Sequence, residues 1–373
     1  MKYSILGKSG LKVSRLGFGA MRLPMDGQRV NRELALPMIH RAFEGGVNYI
    51  DTAVGYCWED SQRVVGEALK GWRDKIVVST KNHEYSDETK WWTHLENSLA
   101  RLQVDYIDIY NTHGVNGKSL DESVRLRVLN WLRKARDRGL IKHICTSFHD
   151  GNDALRKVVD SGFYDSITLQ YNLLDRGLED GIAYAHENNI GVVVMGPVGG
   201  GRLGLPNEAL SNVVPGINRI PELALRFVLA NPNVTMALSG MSTMAQVDEN
   251  LGTWNDDKTL DMKDMKIIQE QMDRLKKMAD LYCPGCGYCK PCPKDVNIPR
   301  IFAMYNNARV YGFGEQSRRE YAEWRKKMPE DGTQADSCVD CGECEKKCPQ
   351  KIPIRTQLKD AHEFLSGRVS CTA

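Results

Sequence analysis

The sequence predicts an α/β protein: a (β/α)8 TIM barrel followed by a small helical, cysteine-rich domain. Three observations predict it. Within the first 260 residues, eight short β-branched runs are each followed by a longer amphipathic stretch. A methionine-striped helix pattern then covers 260–282. Behind it, eight of the eleven cysteines fall in two tight groups.

In chain order the runs are LGFGA (16–20), VNYID (47–51), KIVVST (75–80), DYIDIY (105–110), IKHICTS (141–147), SITLQ (166–170), IGVVVM (190–195) and VTMALS (234–239). Helical patterns such as NRELALPMIHRAFEGG and DESVRLRVLNWLRKARDRG lie between them, several stopped by glycine. Strand-then-helix units imply a parallel sheet, and eight of them favour a closed barrel over an open doubly wound sheet. Ahead of the first unit, MKYSILGKSGLKVSRLGFGA lacks the apolar core of a secretory signal and reads as a short hairpin. After the eighth, Leu260, Met262, Met265, Ile268, Met272, Leu275 and Met278 or Ala279 recur at helix spacing. A stripe of this kind is a packing face. The expected organisation is a barrel over 1–259, a connecting helix over 260–282 and a cluster-binding domain over 283–373.

The formal charge of +2 gives no global pull toward nucleic acid or a membrane surface. No apolar run reaches the roughly 18 residues that a membrane helix needs. A soluble, cytoplasmic protein is expected.

The cysteines carry the strongest signal. The second group, CVDCGECEKKCP (338–349), is C-x2-C-x2-C-x3-C-P. That is the spacing of bacterial ferredoxins with two cubane clusters, in which the fourth cysteine of each run ligates the other cluster. By that rule Cys283, Cys286, Cys289 and Cys348 hold one [4Fe-4S] cluster, and Cys338, Cys341, Cys344 and Cys292 the other. The first group, CPGCGYCKPCP (283–293), has x2 rather than x3 before its last cysteine. Paired C-x2-C units can also bind zinc, but two four-cysteine runs that each close on Cys-Pro favour iron–sulfur clusters. The domain is therefore expected to be ferredoxin-like. Cys57, Cys145 and Cys371 lie outside both runs.

In such barrels reacting groups sit beyond the carboxyl ends of strands. The second strand leads into DTAVGY, the third ends in VSTK and the fourth leads into NTHG, which places Asp51, Tyr56, Lys81 and His113 on one rim. A tyrosine with a pKa of about 10 is a reluctant acid. A neighbouring ammonium stabilises its phenolate and suits it to deliver a proton to a developing alkoxide. Lys81 would supply that charge, Asp51 would hold Lys81, and His113 would position the carbonyl oxygen. Arg22, Trp58, His83, Phe148 and His149 also follow strands and are further candidates for the pocket wall.

The segments GVNYIDTA, VSTK, NTHG, LQYN, GVVVMGPVGGGRL and LSGMSTMAQVDEN, with the two cysteine runs, resemble the aldo-keto reductases. More narrowly, the chain resembles the subgroup with a C-terminal ferredoxin-type 2[4Fe-4S] domain. The resemblance implies that Asp51, Tyr56, Lys81 and His113 are a catalytic tetrad, with an NAD(P)H nicotinamide lying extended across the rim. Ser147 and Gln170 match positions that hold its carboxamide, and Tyr171 one that stacks on its ring. Gly196, Gly199, Gly200, Gly201 and Leu203 match the pyrophosphate clasp. Glu249 and Asn250 match adenine contacts. Gly240 and Gln246 stand where NADPH-preferring members carry basic residues, so no clear NADPH preference is implied. Cys57 and Cys145 both stand where glycine is usual; both read as packing thiols, with Cys57 also able to face substrate.

Hydride chemistry moves two electrons at once and a cubane one at a time, and no flavin fingerprint lies between them. Three readings follow. The first is a carbonyl oxidoreductase of small substrates that exchanges electrons with a ferredoxin or another electron-transfer protein. The second dispenses with nicotinamide and takes single electrons from the clusters. The third is a redox-sensing, non-catalytic barrel. The helix over 262–282, about 30 Å long at 1.5 Å per residue, could climb the barrel wall and leave the cysteine domain as part of a lid over the pocket.

Overall fold

The computed structural model describes residues 1–115, 122–204, 209–255, 258–280, 283, 287, 289–348 and 351–368. They form two compact units: Met1–Gly201 with Pro221–Asp261, and Arg202–Ile220 with Met262–Ala373.

The first unit is the expected barrel. Its parallel strands are β3 (Leu16–Gly19), β6 (Tyr49–Asp51), β7 (Val77–Asn82), β8 (Ile107–Val115), β9 (Ile141–Phe148), β10 (Ser166–Gln170), β11 (Gly191–Met195) and β12 (Met236–Gly240). They close in chain order, with β12 pairing back to β3. The helices between them are α1 (Arg32–Glu44), α2 (Ser61–Ala68), α3 (Glu88–Leu102), α4 (Glu122–Asp137), α5 (Asn152–Asp160), α6 (Glu179–Glu187), α7 (Ile220–Ala230) and α8 (Met244–Asn255). The N-terminal segment is the predicted hairpin, β1 (Tyr3–Ile5) against β2 (Lys12–Ser14). It brings Leu6 and Val13 into one buried cluster with Tyr49, Ile109, Cys145, Val193 and Met236. These side chains fill the interior with apolar bulk, so the reactive groups are confined to the strand ends. A second hairpin, β4 (Met25–Asp26) with β5 (Arg29–Val30), follows the first barrel strand.

Local capping agrees with the sequence. Asn31 and Asp87 accept the amides of Leu34 and Lys90, closing the free N–H groups at the starts of α1 and α3. One close approach needs a glycine. A Cβ on Gly66 in α2 would lie 2.5 Å from the Arg101 carbonyl oxygen and 2.7 Å from that of Leu102. Alanine is normally the better helix former by up to about 1 kcal/mol, yet here overpacking against backbone should cost about 1–3 kcal/mol. Gly66→Ala should therefore lower the midpoint of barrel unfolding in urea; an unchanged or raised midpoint would mean α2 and α3 separate freely.

The second unit is helical, with α9 (Met262–Asp280), α10 (Ile298–Tyr311), α11 (Gly314–Lys327), α12 (Glu343–Lys346) and α13 (Ile354–Leu365). On α9, Ile268, Met272 and Leu275 are buried, whereas Met262 is 91% exposed. Ile301, Phe302, Tyr321, Trp324, Leu358 and Ala361 form the core of this unit. The two cysteine segments are drawn together by backbone pairing, with Thr333 donating to Asp295 O at 2.7 Å and Asn297 donating to Thr333 O at 3.1 Å. None of the described helices is long and apolar enough to cross a membrane.

Candidate active site and cluster cysteines

The rim brings the four predicted residues together. Asp51 ends β6 and Lys81 lies at the end of β7, where the two strands pair in register. Their side chains form a buried ion pair, and Lys81 Nζ also donates to the Thr52 carbonyl at 3.0 Å. Lys81 is only 2% exposed and Asp51 only 4%. Burial alone would pull the lysine pKa down, but Asp51 and the Tyr56 oxygen outweigh it and the net shift is upward. The ammonium therefore stays charged. Nζ lies 4.7 Å from the Tyr56 ring centroid. The His113 ring stands edge-on to Tyr56, with centroids 6.1 Å apart at 84°.

Two supporting residues were not foreseen. Ser79 Oγ donates to Asp51 Oδ2 at 2.8 Å, and Asn111 Nδ2 donates to Ser79 Oγ at 3.0 Å. Strand parity is the signal that could have found them. Ser79 and Lys81, like Asn111 and His113, are two residues apart, and alternate strand residues share a face. The end of β7 is held by Asn82, which donates to Tyr110 Oη at 3.1 Å and to the Trp91 carbonyl at 3.1 Å.

His113 sits where the β8–β9 register shifts, between Thr112 and Val115. The backbone of this irregular stretch is tied by Gly114 N donating to Ser147 Oγ at 2.9 Å, and by Tyr85 Oη donating to the His113 carbonyl. Burial, then the positive Lys81, then His149 and His83, push the His113 pKa down to about 4. The imidazole is neutral at physiological pH, suited to donate one hydrogen bond. Because the folded state resists protonation, the unfolded chain binds that proton first. Stability should thus fall as pH drops from the ordinary histidine range toward 4. Urea melts at pH 7 and 5 should show that loss, and His113→Gln should reduce it; an identical slope in the variant would assign the loss to other groups.

The residues expected to touch a nicotinamide cofactor are distributed unevenly. Gln170 ends β10 partly exposed, and a Cβ on Gly196 would lie 3.3 Å from its Oε1. Gly196, Gly199, Gly200 and Gly201 all have positive φ, from 60° to 101°, and a Cβ on Gly200 or Gly201 would meet nothing within 4 Å. This open, side-chain-free backbone fits a diphosphate. Ser147 is buried, and so is Leu203. Tyr171 is a correction. It is 1% exposed, stacked on Phe227 at 5.5 Å, with its hydroxyl on Glu179 at 2.7 Å, so no face is free for a nicotinamide ring. Asn250 is a second correction: it is buried and turned inward, donating to Ser239 Oγ at 3.0 Å, so its amide is engaged there rather than free for an adenine. Gln246 is exposed, and its side-chain oxygen accepts the Ser242 amide at 2.7 Å; Glu249 is exposed beside it. Gly240 leaves room for the Arg22 side chain, whose Cγ would lie 3.0 Å from a Cβ there.

Cys57 is half-buried with Sγ at 3.6 Å from the Ala20 and Met21 carbonyl oxygens, so it packs toward the end of β3. Cys145 is buried in the barrel and accepts from Ser166 Oγ at 2.9 Å. Trp58 is 70% exposed. Phe148 is fully buried behind the rim, and His149 is exposed.

In the second unit, Cys292 lines one cavity with Cys338, Cys341 and Cys344, and Cys289 stands at the same wall. Cys283 and Cys348 pack partly buried against the helical core. Cys286 and Cys371 lie outside the described residues. Five thiols drawn from both runs line this hollow, which is the donor chemistry of a cubane cluster; among the described residues no three of them are gathered closely enough to hold a metal ion as they stand.

The family described as Aldo/keto reductase family matches residues 15–273, and a 4Fe-4S dicluster domain matches residues 282–352. Among curated relatives, an NADH-specific methylglyoxal reductase of Escherichia coli is 28% identical, over 74% of this chain and 100% of its own length. Among solved structures, the holo form of aldo-keto reductase AKR11C1 from Bacillus halodurans is 29% identical, with a TM-score of 0.64 over 73% of this chain and 96% of that one. An aldo/keto reductase from Klebsiella pneumoniae, solved with NADP and acetate, is 25% identical, with a TM-score of 0.61 over 74% and 95%.

Proposed function

From the premise that this chain belongs to the aldo/keto reductase family, as an oxidoreductase carrying a 4Fe-4S dicluster domain, we propose that it interconverts a small carbonyl compound and its alcohol at Asp51, Tyr56, Lys81 and His113. The observation that carries this reading is the buried Lys81–Asp51 pair with its ammonium against the Tyr56 ring. Tyr56 Oη gives its proton to the carbonyl oxygen, and Lys81 holds the phenolate that remains. Asp51, braced by Ser79, keeps Lys81 charged and aimed. Neutral His113 donates to the same oxygen and fixes its direction.

A bound nicotinamide would supply hydride, and two [4Fe-4S] clusters would supply or remove single electrons. The glycines at 196 and 199–201, with Gln170 and Ser147, would hold the nicotinamide cofactor. Between Gly240 and Asn250 there is no lysine or arginine, which argues against strong NADPH preference and is in keeping with a relative named NADH-specific. One cluster would be held by Cys338, Cys341, Cys344 and Cys292, the other by Cys283, Cys286, Cys289 and Cys348. Their redox partner is proposed to be a ferredoxin or a similar electron-transfer protein. Cys292→Ser should lower the iron content from about eight to about four per chain, measured by iron assay of anaerobically purified protein, whereas Cys145→Ser should leave it unchanged.

Binding of NADH and NADPH to the cluster-replete protein, followed by tryptophan quenching, tests the reading. Saturable binding of either, with carbonyl turnover, supports it. Failure of both with intact clusters would overturn the hydride route in favour of electrons delivered by the clusters alone.

A further inference from the structure

A cavity of about 520 Å³ opens on the barrel unit and uses none of the four rim residues proposed for catalysis. Its walls come from the β4–β5 hairpin, the start of α1, the turn after β6, α2 and the end of α3, and they bring together Arg29, Arg32, Arg63, Arg101 and Trp58. Four guanidinium groups are rarely left so close without anions between them, because each is strongly positive at any physiological pH.

The carboxylates present account for only part of that charge. Arg32 is gripped by Asp60, with Nη1 and Nη2 each 3.0 Å from its oxygens, and its Nε lies 2.9 Å from Glu67 Oε1. Arg101 Nη2 lies 2.8 Å from Glu59, while its Nη1 is buried with no hydrogen-bond partner among the described residues. Arg29 and Arg63 are exposed and enter no ion pair or side-chain hydrogen bond among the described residues, although Arg29 stands near enough to Asp60 to help hold its carboxyl below the usual range. The two pairs thus build a fixed wall, and the other two arginines leave their planar forks at the cavity with no acceptor. Guanidinium forks match phosphate and carboxylate oxygens two at a time.

The aromatic wall is also unusual. Cys57, Trp58 and Glu59 have φ of 52°, 54° and 66°, three consecutive side-chain-bearing residues in the left-handed region. L-residues adopt it at an energetic cost. Such strain persists only where surrounding contacts impose it, and it gathers at functional segments. The turn leaves the Trp58 indole 70% exposed at the cavity, although a large aromatic normally gains most by burial. An exposed indole beside free guanidinium groups offers a flat apolar face for a ring and forks for an anion attached to it. The cavity volume lies in the range of small-molecule sites.

We propose that this basin is a second ligand site, for a nucleoside phosphate whose base stacks on Trp58 and whose phosphates are held by Arg29 and Arg63. It stands apart from the carbonyl chemistry proposed above and survives or fails without it. The test is isothermal titration of the full chain, clusters intact, with ADP, adenosine and inorganic pyrophosphate. ADP should bind saturably, and Arg29→Ala/Arg63→Ala should weaken it by about tenfold or more. Trp58→Ala should weaken ADP by about threefold to tenfold and leave pyrophosphate unchanged. Adenosine should bind about tenfold or more weakly than ADP. All three substitutions are at exposed positions, so an unchanged circular dichroism spectrum should accompany them. ADP binding that is absent, or unchanged in the double arginine variant, would overturn the site and place any ADP elsewhere, including the cofactor groove. Pyrophosphate binding as tight as ADP would overturn the role given to Trp58.

Discussion

Tyr56→Phe should reduce carbonyl turnover by about 10²–10⁴-fold while leaving cofactor binding, iron content and fold intact. The substitution removes one oxygen. The phenyl ring keeps its contact with Lys81 Nζ, 4.7 Å from the ring centroid, and its edge-on packing with His113. What disappears is the only group in the constellation able to give a proton and have the resulting anion stabilised by Lys81. His113 cannot replace it. With a pKa pushed down to about 4, it is neutral at working pH, and giving up its remaining ring proton would leave an imidazolate. Single-turnover measurements with saturating reduced cofactor isolate this step from product release. Tyr56→Phe turning over at the wild-type rate would remove the proposed acid and, with it, the carbonyl reading.

The second large effect is expected at Lys81, where catalysis and stability are joined. Lys81→Met should abolish turnover to a similar degree and also destabilise the barrel by about 3–5 kcal/mol, because Asp51 is left buried without its counter-charge. The pair is 2% and 4% exposed, so water does not reach in to relieve it. Ser79 still donates to Asp51 Oδ2, which satisfies one oxygen but does not neutralise the charge. Lys81→Met/Asp51→Asn should recover most of the stability and none of the activity. That split separates the electrostatic cost of an unpaired carboxylate from the loss of the ammonium beside Tyr56. Urea denaturation monitored on barrel tryptophans supplies the stability half. Equal destabilisation of the single and double variants would mean that packing of the lysine stem, not charge, holds this corner.

How far the site was legible depends on how local its determinants are. The proposed tetrad could be picked out because each member lies at or just after the end of a β-branched run, and the rule placing such groups at strand ends needs only sequence order. Ser79 and Asn111 were passed over since a small polar residue inside a strand is commonplace until its partner is known. Tyr171 and Asn250 were misread for the opposite reason. Tyr171 follows Gln170 at the end of β10 and Asn250 follows exposed Glu249 on α8, but Phe227 and Glu179 draw Tyr171 inward and Ser239 claims the Asn250 amide. Those partners lie at long or unpatterned separations. Side-chain direction just past a strand, as at Tyr171, or on a helix, as at Asn250, is decided by such packing partners, and strand parity does not apply there.

By itself, the sequence determined the eight strand–helix units, the order in which they close, the cubane spacing of the second cysteine run and which four rim residues, Asp51, Tyr56, Lys81 and His113, are the candidates for the proposed chemistry. All are written in short-range periods of two, three or four residues, or in the succession of elements. Only the tertiary structure decided that Cys289 lines the same hollow as Cys292, Cys338, Cys341 and Cys344, that Lys81 stays charged against the pull of burial, and that four arginines from separate elements meet around Trp58. Each of these depends on distances between segments far apart in the chain. The fields and desolvation that set a pKa or gather an anion act through space, and they exist only once the barrel has closed and the helices have packed.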